Sequence, residues 1–131
     1  MTGRVRIASG GPWEASAGYS RAVVVGDTCW VAGTTDAGPD GRSQHPGDVA
    51  GQARAVFAII GRALEEAGFA FTDIVRIRMF VTDMALADDL MVVQGELFRE
   101  IRPAATLVGV SALIDPSLLV EIEADARRDP R

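Results

Sequence analysis

Between Asp48 and Gly68 this sequence carries one apolar stripe that has to be covered. Val49, Ala53, Val56, Phe57, Ile60, Leu64 and Ala67 recur at steps of three and four, which puts them on one face of an α-helix. Asp48 can cap its start, because a carboxylate accepts the N–H groups orphaned in the first turn. Gly68 supplies a left-handed stop, and Phe69 beyond it can fold back on the last turn. Burying that face is worth on the order of 10 kcal/mol before entropy, an upper figure. The stripe demands a sheet.

The flanking runs supply one. Ala22–Val25 and Cys29–Ala32 are β-prone and valine-rich, and Gly26-Asp27 between them reads as a hairpin turn. Arg4–Ile7 predicts a short edge strand, followed by a Gly/Pro/Ser loop to Tyr19. Gly33-Thr34-Thr35 ends the second hairpin strand, and a loop runs from Asp36 to Gly47. In Ile74–Thr82, Val75, Ile77, Met79 and Val81 alternate with Arg76, Arg78, Phe80 and Thr82, giving one apolar and one mixed face. Leu86, Leu90, Val93, Leu97 and Ile101 predict a second helix, which Pro103 ends. Thr106–Ala112 and Leu118–Ala126 close the chain as strands, joined by Asp115-Pro116-Ser117. In the last, Leu118, Val120, Ile122, Ala124 and Ala126 face one way, and Leu119, Glu121, Glu123 and Asp125 the other.

The order β-β-β-α-β-α-β-β predicts a single domain over residues 1–131, of α/β (α+β) class, with a mixed sheet and two helices packed on one face. The other face holds Phe80 and Leu119 among carboxylates and arginines. Such a face either meets water or packs against further subunits around polar pockets.

Composition narrows the chemistry. No apolar run approaches the roughly 18 residues of a membrane span, and the N-terminus lacks a signal-like stretch, so no membrane and a cytoplasmic location are expected. The net charge of −5 speaks against nucleic acid as a partner. The densest basic residues, Arg127, Arg128 and Arg131, lie beside Asp125 and Asp129 and read as a solvated tail. There is no lysine, which excludes a lysine Schiff base. One cysteine and one histidine allow neither an internal disulfide nor a Cys/His zinc site, so no metal is expected. Cys29, in a strand beside Trp30, reads as a buried, inert thiol. His45, in a polar loop, reads as solvated. No phosphate-cradling glycine motif occurs between a strand and a helix. Asp83, Asp88 and Asp89 suit a dipole-favoured helix start.

Four positions remain as candidates. Glu121 and Glu123 point the same way, about 6–7 Å apart; either could hold and polarise a water, or both simply face solvent. Tyr19, the only tyrosine, can line a pocket or make a structural hydrogen bond. Gly33 either lets a ligand approach backbone N–H groups or merely forms a turn.

Taken in order, these segments resemble a known family. Gly18-Tyr19-Ser20-Arg21-Ala22-Val23, Trp30-Val31-Ala32-Gly33-Thr34, Gln52, Ala67-Gly68, Phe80-Val81-Thr82-Asp83, Arg102-Pro103-Ala104 and Val120-Glu121-Ile122-Glu123-Ala124 resemble the motifs of the reactive-intermediate (Rid, YjgF-like) deaminases. The resemblance implies a chorismate-mutase-like homotrimer whose sheets form a central barrel, with small-molecule pockets between subunits. It implies hydrolysis of enamines or imines to carbonyl compounds and ammonia without metal or organic cofactor. Carried over by motif, Glu121 positions water, Tyr19 lines the pocket, and Gly33 with Thr34 presents backbone to substrate.

One family residue is missing. Where the deaminases read Pro-Ala-Arg, this chain reads Pro103-Ala104-Ala105. The lost fork onto a substrate carboxylate is worth roughly 1.5–3 kcal/mol. Ala32 replaces a family serine and Met91 falls near a family asparagine, both less polar. The expectation is therefore a Rid-like hydrolase for a less anionic molecule than 2-aminoacrylate, with Arg21 or Arg78 as stand-ins for the charge. The alternative is a non-catalytic trimer that binds a metabolite or a partner.

Overall fold

The computed structural model describes residues 3–129; Arg131 of the basic C-terminal group lies outside them. The strands are β1 (Val5–Ile7), β2 (Ala22–Val25), β3 (Thr28–Thr34), β4 (Ile74–Val81), β5 (Ala104–Gly109) and β6 (Val120–Arg127). The helices are α1 (Glu14–Ala17), α2 (Val49–Glu66) and α3 (Ala87–Phe98), with 3-10 turns at Phe71–Asp73 and Met84–Leu86. The predicted order holds, and the loop before Tyr19 additionally forms the one-turn α1.

All six strands form one sheet, β1-β2-β3-β6-β4-β5. β6, last in sequence, lies in the middle, antiparallel to β3 and β4, while β5 runs parallel to β4 along the edge. Its inward residues Val120, Ile122, Ala124 and Ala126 are fully buried. α2 packs on β3 and β6, and α3 packs on α2.

α2 forms as its sequence dictates. Asp48 accepts from the Gly51 N–H, and Val49, Ala53, Val56, Phe57, Ile60 and Leu64 are buried. At its end the Gly68 and Phe69 N–H groups donate to Glu65 O and Leu64 O, with Gly68 at φ +86°. That is the left-handed stop with the following aromatic folded back, and Phe69 is buried.

Four expectations change. Val75 is exposed, because the β4–β6 register shifts between Ile74 and Arg76 and Ile74 takes the inward place. Phe98, not Leu97, fills the core: it stacks on Phe71 and meets Phe57 edge-on at 5.1 Å, which turns Leu97 outward. β5 starts at Ala104 rather than Thr106, since its parallel register on β4 begins at Arg76↔Ala104. Arg128 is no solvated tail. Its guanidinium lies 4.4 Å from the Phe69 ring, donates to Gly68 O at 2.8 Å and pairs with Asp27 at 3.3 Å. It thereby ties the hairpin turn and the end of α2 to the end of β6. Among the described residues, no helix is long and apolar enough to cross a membrane.

Candidate active site

The site begins at an irregularity in the sheet. Val31 pairs with Ala124 and Thr34 with Ile122, so Ala32 and Gly33 share the space opposite one residue of β6. This bulge brings Gly33 against the Glu121 side chain. A Cβ at Gly33 would collide with Glu121 Oε2 and stand 3.1 Å from its Cδ. Glycine is needed here for space rather than for a left-handed backbone, because Gly33 is not among the positive-φ residues.

Glu121 is half-buried on the face that no helix covers. Burial pushes its carboxyl above the usual glutamate range, and Glu123 beside it adds to the rise, while Arg21 opposes it. A raised carboxyl is a better proton acceptor once ionised.

Arg21, just before β2, lies on the same side. It donates through Nη1 to Thr34 Oγ1 at 2.8 Å, and Thr34 in turn donates to Ala32 O. Burial lowers the Arg21 pKa, opposed by Tyr19, Glu14 and Glu121. Tyr19 is held by α1, which ends at Gly18 in the left-handed region (φ +74°). The first turn of that helix is fastened by Glu14, which accepts from Ser9 N–H at 2.6 Å and from the Ser9 hydroxyl. The Tyr19 ring is exposed, and its hydroxyl lies beside Gly11.

The structure therefore brings Arg21, Gly33 and Glu121 into one neighbourhood, with Tyr19 near Arg21 and with Thr34, in register with the inward Ile122, buried behind them. It keeps two candidates away. Arg78 is occupied, 3.1 Å from Glu123 and 3.5 Å from Asp125. Ala105 is exposed on the edge strand in register with Ile77, whose side chain points to the core, two strands from Glu121. Thr34 is buried and its hydroxyl is already engaged, so it buttresses Arg21.

Two polar centres are given no role by the residues' spacing, although Gln52 is a motif match. Asp36 is buried and gathers Ser43 Oγ, the Gln44 and His45 N–H groups and His45 Nδ1 onto Oδ2. His45 is thus anchored rather than loose, although its side chain remains 45% exposed. Gln52, fully buried in α2, donates to His45 O and Ser117 O and accepts from Leu119 N–H. It fastens the long loop to the chain just before Glu121. A motif match could mark Gln52; nothing in the spacing marks Asp36.

Cavities lie on both sides of the sheet. A cleft of about 730 Å³ borders Tyr19 and Arg21 and continues to Trp13 and Ile114. A groove of about 750 Å³ on the helical layer is lined by Phe57, Phe71 and an Arg54–Glu96 ion pair, and Glu121 is not part of it. Volume does not separate the two and Glu121 lines neither; the first is bordered by Arg21, which feels the Glu121 charge. Cys29 is fully buried, and burial pushes its thiol up to about 11, which leaves it protonated and inert. Among the described residues no cluster of three or more His, Cys, Asp or Glu could hold a metal ion.

Comparison with known proteins agrees with this fold. The sequence profile of the family described as Endoribonuclease L-PSP matches residues 11–128. A Mycobacterium tuberculosis protein, whose crystal structure is described as a member of the YjgF/YER057c/UK114 family, superposes with a TM-score of 0.87 at 42% identity, covering 96% of this chain and 100% of that one. An uncharacterized protein of Streptomyces coelicolor is 36% identical over 94% of this chain and 91% of its own length. The 2-iminobutanoate/2-iminopropanoate deaminase of Bos taurus is 32% identical over 86% of this chain and 81% of its own length.

Proposed function

This chain belongs to the Endoribonuclease L-PSP family, the YjgF or Rid family, and on that premise we propose that it is a cofactor-independent hydrolase of a small imine or enamine. The single observation that carries the reading is the half-buried Glu121 carboxylate fitted over Gly33, with its proton affinity raised. Ionised Glu121 accepts a hydrogen bond from water and directs its oxygen at the C=N carbon. The C–O bond forms as the C=N π pair moves to nitrogen, and one water proton passes through Glu121 to that nitrogen. The hydroxyl of the resulting carbinolamine then gives its proton, again through Glu121, to the same nitrogen. The C–N bond breaks, so one imine and one water give one carbonyl compound and one ammonia. Backbone N–H groups near Gly33 and the Tyr19 hydroxyl hold the substrate.

The proposed assembly is a homotrimer with the site in the cleft between subunits, acting in the cytoplasm. Its support is the uncovered sheet face, where Val25, Trp30 and Val108 are exposed. Ala105 argues against the usual 2-aminoacrylate substrate. We set the ribonuclease description aside for this chain, because a net charge of −5 opposes a polyanionic backbone.

Ala105 also favours a second reading, a trimer that binds a metabolite without turning it over. The test offers imines generated by an amino-acid oxidase and follows their loss above the spontaneous rate. Acceleration supports the hydrolase. Thermal stabilisation by a metabolite with no acceleration across varied imines selects the second reading.

A further inference from the structure

Arg21 is a half-buried cation that makes no ion pair with any described residue, whereas Arg54, Arg78 and Arg128 each meet a carboxylate. Its one side-chain hydrogen bond goes to the neutral Thr34 hydroxyl. A guanidinium carries five N–H donors in a planar fork suited to a carboxylate, and most of this fork is open. Glu14 and Glu121 act on it only through space, and Glu14 is already engaged by Ser9. A partly desolvated, unpaired charge costs free energy unless an anion meets it.

The cleft that Arg21 lines shows what such an anion would be attached to. Trp13 and Ile114 also line it and are 65% and 91% exposed. An indole and a branched alkyl group left this open suit an apolar ligand body. Neither carboxylate that also lines the cleft pairs with Arg21: Asp115 accepts from Ser117 and Asp40 from the Arg42 N–H. A volume of about 730 Å³ holds more than a three-carbon acid.

We infer that Arg21 is the anion anchor of this cleft and holds the carboxylate of a small molecule whose apolar body lies against Trp13 and Ile114. The inference rests on the hydrolase reading for what happens to the ligand, but not for whether it binds. It corrects the expectation of a less anionic substrate: the charge lost at Ala105 is supplied from the other side of the sheet. The substrate class is then the imines of amino acids with large apolar side chains.

The test compares two imines that differ in one group. Phenylalanine oxidised by an amino-acid oxidase gives the carboxylate imine, and phenethylamine oxidised by an amine oxidase gives its neutral counterpart. Arg21→Gln is expected to lower kcat/KM for the first roughly ten- to a hundredfold more than for the second, the scale of one charge-assisted contact. Equal loss on both overturns the inference, because it marks Arg21 as a brace for Thr34.

A binding arm separates this outcome from failure of the hydrolase reading. Phenylacetate, but not phenylacetamide, is expected to raise the Tm of the wild type and not that of Arg21→Gln, whether or not any imine is turned over. Equal shifts from the acid and the amide, or none, overturn the anchor. If Arg21→Gln does not fold, Arg21→Lys replaces it, with a weakened phenylacetate shift expected and an unchanged one overturning the inference.

Discussion

Replacing Gly33 by alanine adds one methyl group where β3 meets the Glu121 side chain. The backbone accepts it, because φ is not positive there, and the stiffer unfolded chain contributes about 0.4–1 kcal/mol of stability. The contact fails instead. The new Cβ collides with Glu121 Oε2 and lies 3.1 Å from Cδ, closer than ordinary van der Waals contact. The carboxylate must rotate away, at about 1–3 kcal/mol for overpacking. The net loss is then about 0–2.6 kcal/mol of stability. Moving the carboxylate by about an ångström costs roughly a hundredfold in turnover. Urea unfolding at fixed protein concentration and imine hydrolysis read the two effects. In a Glu121→Ala background the collision is gone, so Gly33→Ala should be neutral or stabilising there, a coupling of about 1–3 kcal/mol. An equal loss in both backgrounds, or full activity in Gly33→Ala, refutes the reasoning.

Glu121 holds its proton more tightly in the folded protein than in the unfolded chain, so its contribution to stability is present below the unfolded pKa and lost as pH rises through the folded one. Glu121→Gln should therefore gain on the wild type across that window, and a difference flat with pH would contradict this. Gln52→Ala leaves His45 O, Ser117 O and the Leu119 N–H without their partner; chemical denaturation should show a loss of about 2–4 kcal/mol, and a loss under about 1 would mean these bonds hold little. Cys29, buried and with its thiol at about 11, should react with a thiol reagent at neutral pH only as fast as the protein opens. Rapid labelling of the native protein would rule out that burial.

The stretches legible in the sequence are those governed by local rules. Asp48, the apolar stripe and Gly68 specify α2 without help from the rest of the chain, and the alternation in Leu118–Ala126 specifies which side of β6 is buried. Where tertiary contacts choose between neighbours, the pattern misleads. Phe98 displaces Leu97 because Phe57 and Phe71 offer an aromatic contact, and a register shift turns Val75 out. Gly33 and Glu121 can each be marked by type, but their collision course depends on β6 inserting between β3 and β4. Arg21 and Arg78 are indistinguishable as charges in the sequence. Only the structure shows one paired and the other open.

The most direct measurement is the ratio of kcat/KM between wild type and Glu121→Gln on whichever imine the wild type consumes fastest. Glutamine keeps the shape over Gly33 but cannot take a proton, so the ratio should be about 10²–10⁴. A ratio near one, with the variant folded and assembled like the wild type, would show that water reaches the imine carbon without this carboxylate.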